Sequence, residues 1–382
     1  MQAGPDHEIC FSAGLAGAGC DDGTGDVFCR VCFHVGSAHG WKRVCGSGGG
    51  AGCWLARGDG GWGGGMISIV IPTKNNGDIL ERCLDSIEGL DYPEDEMETI
   101  IVDGHSTDGT VEIAERYGCR VVYENRGTIS YARDLGVRNA EGEFIAFTDA
   151  DCVVDRNWLR NLIKHFDDEE IVSVGGPNIT PEDDSKFVKC AGDVLSFLSK
   201  PGARYGLDAS EVIEIFHNPT CNVMYRKKVL EEVGGFNHDL VTCDDEELDY
   251  RIRERGYRIL YTPDAIVYHY RRPTWKKFMK QAYNYGIGRM QAIKLHRNMG
   301  RVFHFVPSAI ISVIVALFVL SFWEFSYFWY ASLILIIGAI GIVVISLYLG
   351  SKTKMSNLFT YFGLIAIWFW GFGFGMFRGM AK

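Results

Sequence analysis

Residues 143–154 read EFIAFTDADCVV, an apolar run that ends in two aspartates separated by a single alanine. The run predicts a buried strand. Side chains two residues apart in an extended chain point to the same side, so we expect Asp149 and Asp151 to lie close together. Two unpaired carboxylates raise each other's pKa. A divalent cation held by hard oxygen ligands removes that penalty, whereas an aspartate-rich turn that closes the strand is the alternative.

Strands and helices alternate along the chain up to this stretch. Apolar strands are predicted at MISIVIPT (66–73), METIIVDG (97–104), RVVYEN (120–125) and EFIAFTDAD (143–151). Segments with helical spacing of apolar residues lie between them, at 78–90, 106–118 and 130–142. Repeated βα units predict an α/β domain with a parallel, doubly wound sheet, in which ligands bind beyond the carboxyl ends of the strands. Pro72, Thr73, Asp103, Asp149 and Asp151 fall at those ends, so we expect them to border one crevice.

Four longer segments occur together in one order: IVIPTKN (69–75), IIVDGHSTDGT (100–110), ARDLGVRNAEGEFIAFTDAD (132–151) and CDDEELDYRIRERGY (243–257). In this combination residues 66–270 closely resemble the family 2 glycosyltransferases, which have the Rossmann-like GT-A fold. The resemblance implies a nucleotide-diphosphate sugar as donor and a DxD motif that binds Mg²⁺ or Mn²⁺. It also implies a reaction that inverts the anomeric centre.

The resemblance assigns donor contacts at the strand ends. Pro72 and Thr73 match the end of the first strand, which lies along the nucleoside, and Asp103 matches the acidic residue that contacts the base. Arg133 matches an arginine near the nucleotide, where a guanidinium suits phosphate oxygens. The sequence departs from the family pattern at Gly104 and His105, where Asp-Gly is usual.

The resemblance also assigns the metal ligands and the base. Asp149 faces the ribose and diphosphate, and Asp151 is the direct metal ligand. Asp245 matches the catalytic base of the family's Glu-Asp pair, although Asp244 stands here in place of the glutamate. His269 matches a histidine that is a further metal ligand in some members, with a structural role at a strand end as the alternative. The QxxRW motif of processive synthases is missing from the sequence.

Residues 1–65 differ in composition from the rest of the 382-residue chain, which has a net charge of −10. They contain 19 of the 46 glycines and six of the 12 cysteines, with no sustained periodicity. Cys29 and Cys32 form a CxxC, but a second ligand pair at a usual zinc spacing does not follow. We interpret this segment as a disordered leader or as the product of a gene start assigned too early. The other cysteines are scattered singly, as in a cytosolic domain with reduced thiols.

Three apolar segments near the carboxyl terminus, about 305–323, 325–349 and 358–377, are each long enough to span a bilayer within the region 304–382. Residues 271–301 carry nine lysines and arginines, so the positive-inside rule places the catalytic domain in the cytoplasm. The segment 271–303, which precedes the first apolar segment, contains aromatic residues interleaved with basic ones. We interpret it as an amphipathic helix at the membrane interface, and a connecting helix that is basic only because of topology is the alternative.

Together these features predict a membrane-anchored inverting glycosyltransferase that acts on a lipid-linked saccharide or a lipid. A polyprenyl-phosphate monosaccharide synthase is the alternative enzyme; because its acceptor phosphate is already ionised, it needs no general base. A non-catalytic membrane protein that binds a nucleotide sugar is a third interpretation. We predict no nucleic-acid partner.

Overall fold

The structure, a computed structural model, describes residues 65–198, 210–271 and 274–381. In the preceding unit it describes only the short antiparallel strands β1 (Lys42–Arg43) and β2 (Leu55–Ala56). Apart from these two strands and residue 65, the predicted leader, including its CxxC, lies outside the described residues. The leader therefore stays a prediction.

Residues 65–271, which the sequence predicts to be catalytic and which we call the catalytic unit, are built on one main sheet. The strands of this unit are β3 (Ile67–Thr73), β4 (Met97–Asp103), β5 (Arg120–Tyr123), β6 (Phe144–Thr148), β7 (Cys152–Val154), β8 (Ile171–Gly175), β9 (Asn178–Ile179), β10 (Ile213–Glu214), β11 (Asn222–Arg226), β12 (Arg258–Tyr261) and β13 (Val267–His269). Within the described residues, eight of them form one sheet in the order β10-β12-β8-β11-β6-β3-β4-β5. A smaller sheet has the order β7-β13-β9.

The main sheet is mixed, so the predicted parallel order holds for the strands of the βα repeat and not for the whole sheet. The four strands predicted from the βα repeat, β3 to β6, are parallel. The next strand in space, β11, is antiparallel to both β6 and β8. It enters at the carboxyl end of β6, where Asn222 pairs with Thr148, and therefore runs back along it. The βα repeat in the sequence ends at β6. The sequence beyond it therefore has no repeat that predicts further parallel strands.

Helices cover both faces of the sheet. Those of the catalytic unit are α1 (Leu80–Glu88), α2 (Thr110–Arg116), α3 (Ile129–Asn139), α4 (Trp158–Ile163), α5 (Lys186–Leu198), α6 (Lys227–Glu232) and α7 (Asp244–Glu254). Successive side chains of β3 point to opposite faces of the sheet, and each face has its own hydrophobic core. Ile69 and Ile71 lie in the core that contains α1 and α4, whereas Val70 lies in the core that contains α3, α6 and α7. Burial on both sides explains why β3 reads as a continuous apolar run.

Four helices follow the catalytic unit: α8 (Trp275–Leu295), α9 (Val302–Leu320), α10 (Ser326–Lys352) and α11 (Leu358–Ala381). Among the described residues, three segments are long and apolar enough to cross a membrane: Val302–Leu320, Ser326–Lys352 and Met355–Ala381. Each overlaps one predicted span. Residues 321–325 separate the first two helices, a longer link than the single residue between the predicted spans.

The basic helix α8 packs along α11 rather than standing alone. Its buried residues include Phe278, Ala282 and Ile287. Glycines allow the close approach, because a Cβ at Gly286 would collide with the backbone oxygen of Phe372 and a Cβ at Gly375 with that of Tyr283. Small residues at such positions allow two helix backbones to come together. An interfacial location for α8 remains a prediction.

Helix α5 ties the catalytic unit to the same apolar bundle. Its buried residues Val194 and Leu195 belong to a core shared with Leu364 and Ile365 of α11. Asp193 accepts a hydrogen bond of 2.6 Å from the hydroxyl of Tyr361. The sheet domain is thus anchored to α11 through both α5 and α8.

Replacing Gly375 with alanine tests this packing. The new methyl meets backbone, which a rotamer change cannot move aside, so α8 and α11 must separate. We expect a destabilisation of about 1–3 kcal/mol and a lower melting temperature of the detergent-solubilised protein in scanning fluorimetry. Gly341→Ala in α10 is the matched control, because a Cβ there meets no atom within 4 Å, and we expect it to leave the melting temperature unchanged or raised. Equal melting temperatures for the two variants would contradict the packing.

Candidate active site

The carboxyl ends of β3, β4 and β6 form one edge of the sheet, beside a cleft of about 350 Å³. Thr73 at the end of β3 is paired with Asp103 at the end of β4. The cleft is lined by Pro72, Thr73, Asp149 and Asp151, together with residues at the start of α3. The structure therefore brings the predicted strand-end residues to one edge, as the βα repeat implies.

The aspartate pair lies beside a histidine from a distant part of the chain. Strand β13 is antiparallel to β7, and this register places His269 opposite Cys152. Ligand atoms of Asp149, Asp151, Cys152 and His269 all lie within 4.8 Å of one another. The Nε2 atom of His269 is 3.2 Å from Oδ1 of Asp151. Cys152 is a member of this group that the sequence analysis did not identify, although it directly follows the motif.

The electrostatics of this group suit a cation. Burial raises the pKa of Asp149, and the charge of Asp151 adds to the rise, whereas Arg133 and His269 oppose it. Burial lowers the pKa of His269, but the adjacent Asp151 outweighs it and raises the pKa to about 10. Without an ion, His269 thus carries a positive charge beside Asp151, and a metal that binds through the imidazole nitrogen must displace that proton. Carboxylate oxygens and an imidazole nitrogen are ligands for divalent metals, so these residues fit Mg²⁺ or Mn²⁺.

Asp103 is fully buried and holds the loop that follows β4. Its carboxylate accepts hydrogen bonds from the backbone N–H of Ser106 at 2.8 Å and from the Ser106 hydroxyl at 2.5 Å. Thr73 accepts a hydrogen bond of 3.0 Å from the side chain of Asn76. These contacts fix the rim of the cleft, and the contact of Asp103 with a base remains a prediction.

Arg133 forms a buried ion pair that the sequence analysis did not predict. Its Nη1 atom is 2.6 Å from Oδ2 of Asp244, and only 7% of each side chain is exposed. Burial disfavours the charged guanidinium, but Asp244, Asp149 and Asp245 outweigh it and raise the pKa of Arg133. Its Nε atom has no hydrogen-bond partner among the described residues. Arg133 is thus paired with the first turn of α7 and is close enough to Asp149 for that carboxylate to raise its pKa.

Asp245 lies in that first turn. The preceding Cys243 adopts a left-handed conformation with φ of 65°, which turns the chain into the helix. The carboxylate of Asp245 accepts a hydrogen bond of 2.9 Å from the backbone N–H of Glu246, and 9% of the side chain is exposed.

His217 and Asp249 lie next to Asp245, and the sequence analysis missed both. The Nε2 atom of His217 is 3.7 Å from Oδ2 of Asp245, and its Nδ1 atom is 2.9 Å from Oδ2 of Asp249. Asp249 follows Asp245 by four residues on α7, so the two carboxylates share one helix face. This four-residue spacing is the sequence pattern from which Asp249 could have been identified. No short-range pattern marks His217, which comes from the segment before β11.

Part of this chain is similar to known proteins. Residues 68–234 match the family described as glycosyl transferase family 2. The glycosyltransferase AglE of Haloferax volcanii is 27% identical over 245 residues, which cover 62% of this chain and 78% of AglE.

A second archaeal relative is the dolichyl N-acetyl-alpha-D-glucosaminyl phosphate 3-beta-D-2,3-diacetamido-2,3-dideoxy-beta-D-glucuronosyltransferase of Methanococcus voltae. It is 27% identical over 234 residues, which cover 58% of this chain and 72% of the relative.

Among solved structures, the mannosyltransferase PcManGT of Pyrobaculum calidifontis, in complex with GDP-Man and Mn²⁺, has a similar fold. The TM-score is 0.54 at 21% sequence identity, with 80% of this chain and 87% of PcManGT covered. Residues 68–234 therefore match glycosyl transferase family 2, and the chain has a GT-A-like α/β fold followed by three apolar helices of membrane-spanning length.

Proposed function

We propose that the protein transfers a sugar from a nucleotide-diphosphate sugar to a hydroxyl of a lipid-linked saccharide or lipid, with inversion, at the cytoplasmic face of a membrane. One observation carries the proposal: Arg133 pairs with Asp244, next to Asp245, and also feels the charge of Asp149 at the strand ends. An ion site for the donor and a base for the acceptor thus both lie near a fixed positive charge.

The donor side rests on the strand-end residues. We propose that Asp149, Asp151 and His269 hold Mg²⁺ or Mn²⁺, because their ligand atoms lie within 4.8 Å of one another. When bound, the ion neutralises the charge of the leaving nucleoside diphosphate. Arg133 adds a second, permanent positive charge at the same edge. Pro72 and Thr73 line the cleft, and we propose that the nucleoside lies along them, with Asp103 at the end of the neighbouring strand contacting the base. PcManGT, which shares the fold, was solved with GDP-Man and Mn²⁺.

The acceptor side rests on Asp245. In the proposed step the acceptor oxygen forms a bond to the anomeric carbon as the bond to the diphosphate breaks. Asp245 takes the proton of the hydroxyl as the oxygen attacks. One displacement, with no covalent sugar–enzyme intermediate, inverts the anomeric centre, as in other single-step glycosyl chemistry. The nucleoside diphosphate leaves with the bonding electron pair.

The membrane helices support a lipid acceptor. Helix α8 exposes Trp275 and Met279 beside the basic residues Lys276, Lys277 and Lys280. Aromatic and basic side chains of this kind suit a headgroup layer, and the basic flank favours a cytoplasmic catalytic domain. The relative from Methanococcus voltae is named for a dolichyl-linked sugar phosphate, which is an acceptor of the proposed class.

Transfer should depend on a divalent metal. We expect excess EDTA to abolish transfer and added Mg²⁺ or Mn²⁺ to restore it. Asp151→Asn removes a charged ligand, so Mn²⁺ affinity measured by electron paramagnetic resonance should fall by at least about 10-fold. Donor affinity and turnover should fall together with it. Asp167→Asn, at an exposed site, is the control and should bind Mn²⁺ normally. Full transfer in EDTA would exclude the metal role.

Asp245→Asn should distinguish a hydroxyl acceptor from a polyprenyl phosphate. The proton of a hydroxyl has no acceptor once the carboxylate is lost, so turnover should fall by about 10²- to 10⁴-fold. Donor affinity should change little. Asp239→Asn, an exposed carboxylate in the loop before α7, is the matched control. Turnover and donor Kd are measured on the same preparation.

The other outcomes of this experiment are equally clear. A near-normal rate would refute the hydroxyl mechanism and favour a polyprenyl-phosphate monosaccharide synthase, whose acceptor is already an anion. Loss of donor binding together with turnover would show that Asp245 acts on the donor side.

A further inference from the structure

We propose that His217, held by Asp249, is a positioning residue that orients Asp245 and then takes up the proton that Asp245 removes from the acceptor. The inference rests on the proposed role of Asp245 as the base. It adds a second proton acceptor behind that base, and it gives Asp249 the role of fixing the imidazole.

The first step concerns the anchor. Asp249 is fully buried, and three groups hold its carboxylate: the N–H of Asn218 at 2.8 Å, the hydroxyl of Tyr225 at 2.9 Å and Nδ1 of His217 at 2.9 Å. Burial raises the pKa of Asp249, and the hydrogen bonds from its neighbours oppose that rise. A carboxylate held at this many points fixes the plane of the imidazole that donates to it.

The second step concerns the direction of the proton. Because Asp249 is an acceptor, the neutral imidazole carries its hydrogen on Nδ1 and its lone pair on Nε2. That lone pair is directed toward Asp245, whose Oδ2 atom is 3.7 Å away. This distance is longer than a hydrogen bond, but such contacts commonly tighten when substrates bind. Both side chains are nearly buried, at 11% and 9% exposure, which limits competition from water.

The third step is the balance of the transfer. The acceptor hydroxyl loses its proton to Asp245 as its oxygen bonds to the anomeric carbon. The protonated Asp245 then passes the proton to Nε2 of His217, so the Asp245 carboxylate is restored and an imidazolium forms. The Asp249 carboxylate stabilises that imidazolium, as the buried aspartate does in the Ser-His-Asp arrangement. The proton finally leaves to solvent, and no oxidant or further reactant is needed.

Charged groups from the surrounding elements bear on this histidine. From α7 they are Asp245 and Asp249, and from β11 the hydroxyl of Tyr225. Positive charge lies on either side: Arg253 donates to the backbone oxygen of Phe216, the residue before His217. Arg133 pairs with Asp244, the residue before Asp245. Asp245 and Asp249 both face the imidazole of His217, so the positive charge of an imidazolium is balanced by carboxylates and is not left unpaired.

Chemical rescue tests the proposal. His217→Ala should lower turnover by about 10²-fold with donor Kd unchanged, and added imidazole should restore much of the rate. The restored rate should follow the pKa of substituted imidazoles, which a purely structural residue would not produce. His238→Ala is the matched control, because His238 pairs with Asp134 rather than with a carboxylate of α7. We expect it to turn over normally and to show no response to imidazole.

A second variant separates proton transfer from packing. His217→Gln fills the site and can donate to Asp249 but cannot carry a proton onward, so we expect it to bind donor normally and to stay slow. This variant decides the test if His217→Ala loses donor binding. A His217→Gln enzyme with the normal rate would overturn the proposal, as would a slow His217→Ala enzyme that imidazole does not rescue.

Asp245→Asn, assayed alongside, separates the two hypotheses. If it is slow while His217→Ala is normal, the base stands and the relay is wrong. If Asp245→Asn is itself near normal, the hydroxyl-acceptor mechanism fails, and the relay fails with it.

Discussion

The buried ion pair between Arg133 and Asp244 is the contact on which the candidate site depends. It joins α3, which borders the cleft, to α7, which carries the proposed base. With 7% of each side chain exposed, neither charge is solvated, so removing one partner leaves the other uncompensated. Such losses cost about 3–5 kcal/mol. The pair therefore fixes the separation between the donor edge and the acceptor side while supplying a positive charge close to both.

The first turn of α7, which the Arg133–Asp244 pair holds, also contacts the helices that follow the catalytic unit. It carries four consecutive acidic residues, each directed to a different partner. After Asp244 and Asp245, Glu246 pairs with Arg289 of α8 at 2.7 Å, and Glu247 pairs with His296 at 2.7 Å. Helix α8 in turn lies against α11 through glycines. The turn that holds the proposed base is thus connected to the apolar helices through ion pairs and close helix packing.

The features that the sequence predicted are those marked by short-range patterns of residues. Periodicity and turn residues define β3 to β6 and their helices, and the parallel order of those strands then brings Thr73, Asp103 and Asp149 to one edge. The antiparallel β11 and the pair Arg133–Asp244 depend on contacts between residues far apart in the chain, for which a single sequence carries no local pattern. The assigned roles of these residues remain predictions, and the glycine-rich leader lies outside the described residues.

The acidic residues at the strand ends and those in the first turn of α7 differ in how their charge is offset, which bears on the roles proposed for them. In the first turn of α7, protein cations are already in place, with Arg133 on Asp244 and Arg289 on Glu246. The Asp149–Asp151 pair borders an open cleft instead, with His269 beside it. A carboxylate held by an arginine fork is poorly placed to ligate a metal, because its lone pairs are already used. This difference supports the proposal that an exogenous cation and a diphosphate bind at the strand ends and that the α7 turn serves the acceptor.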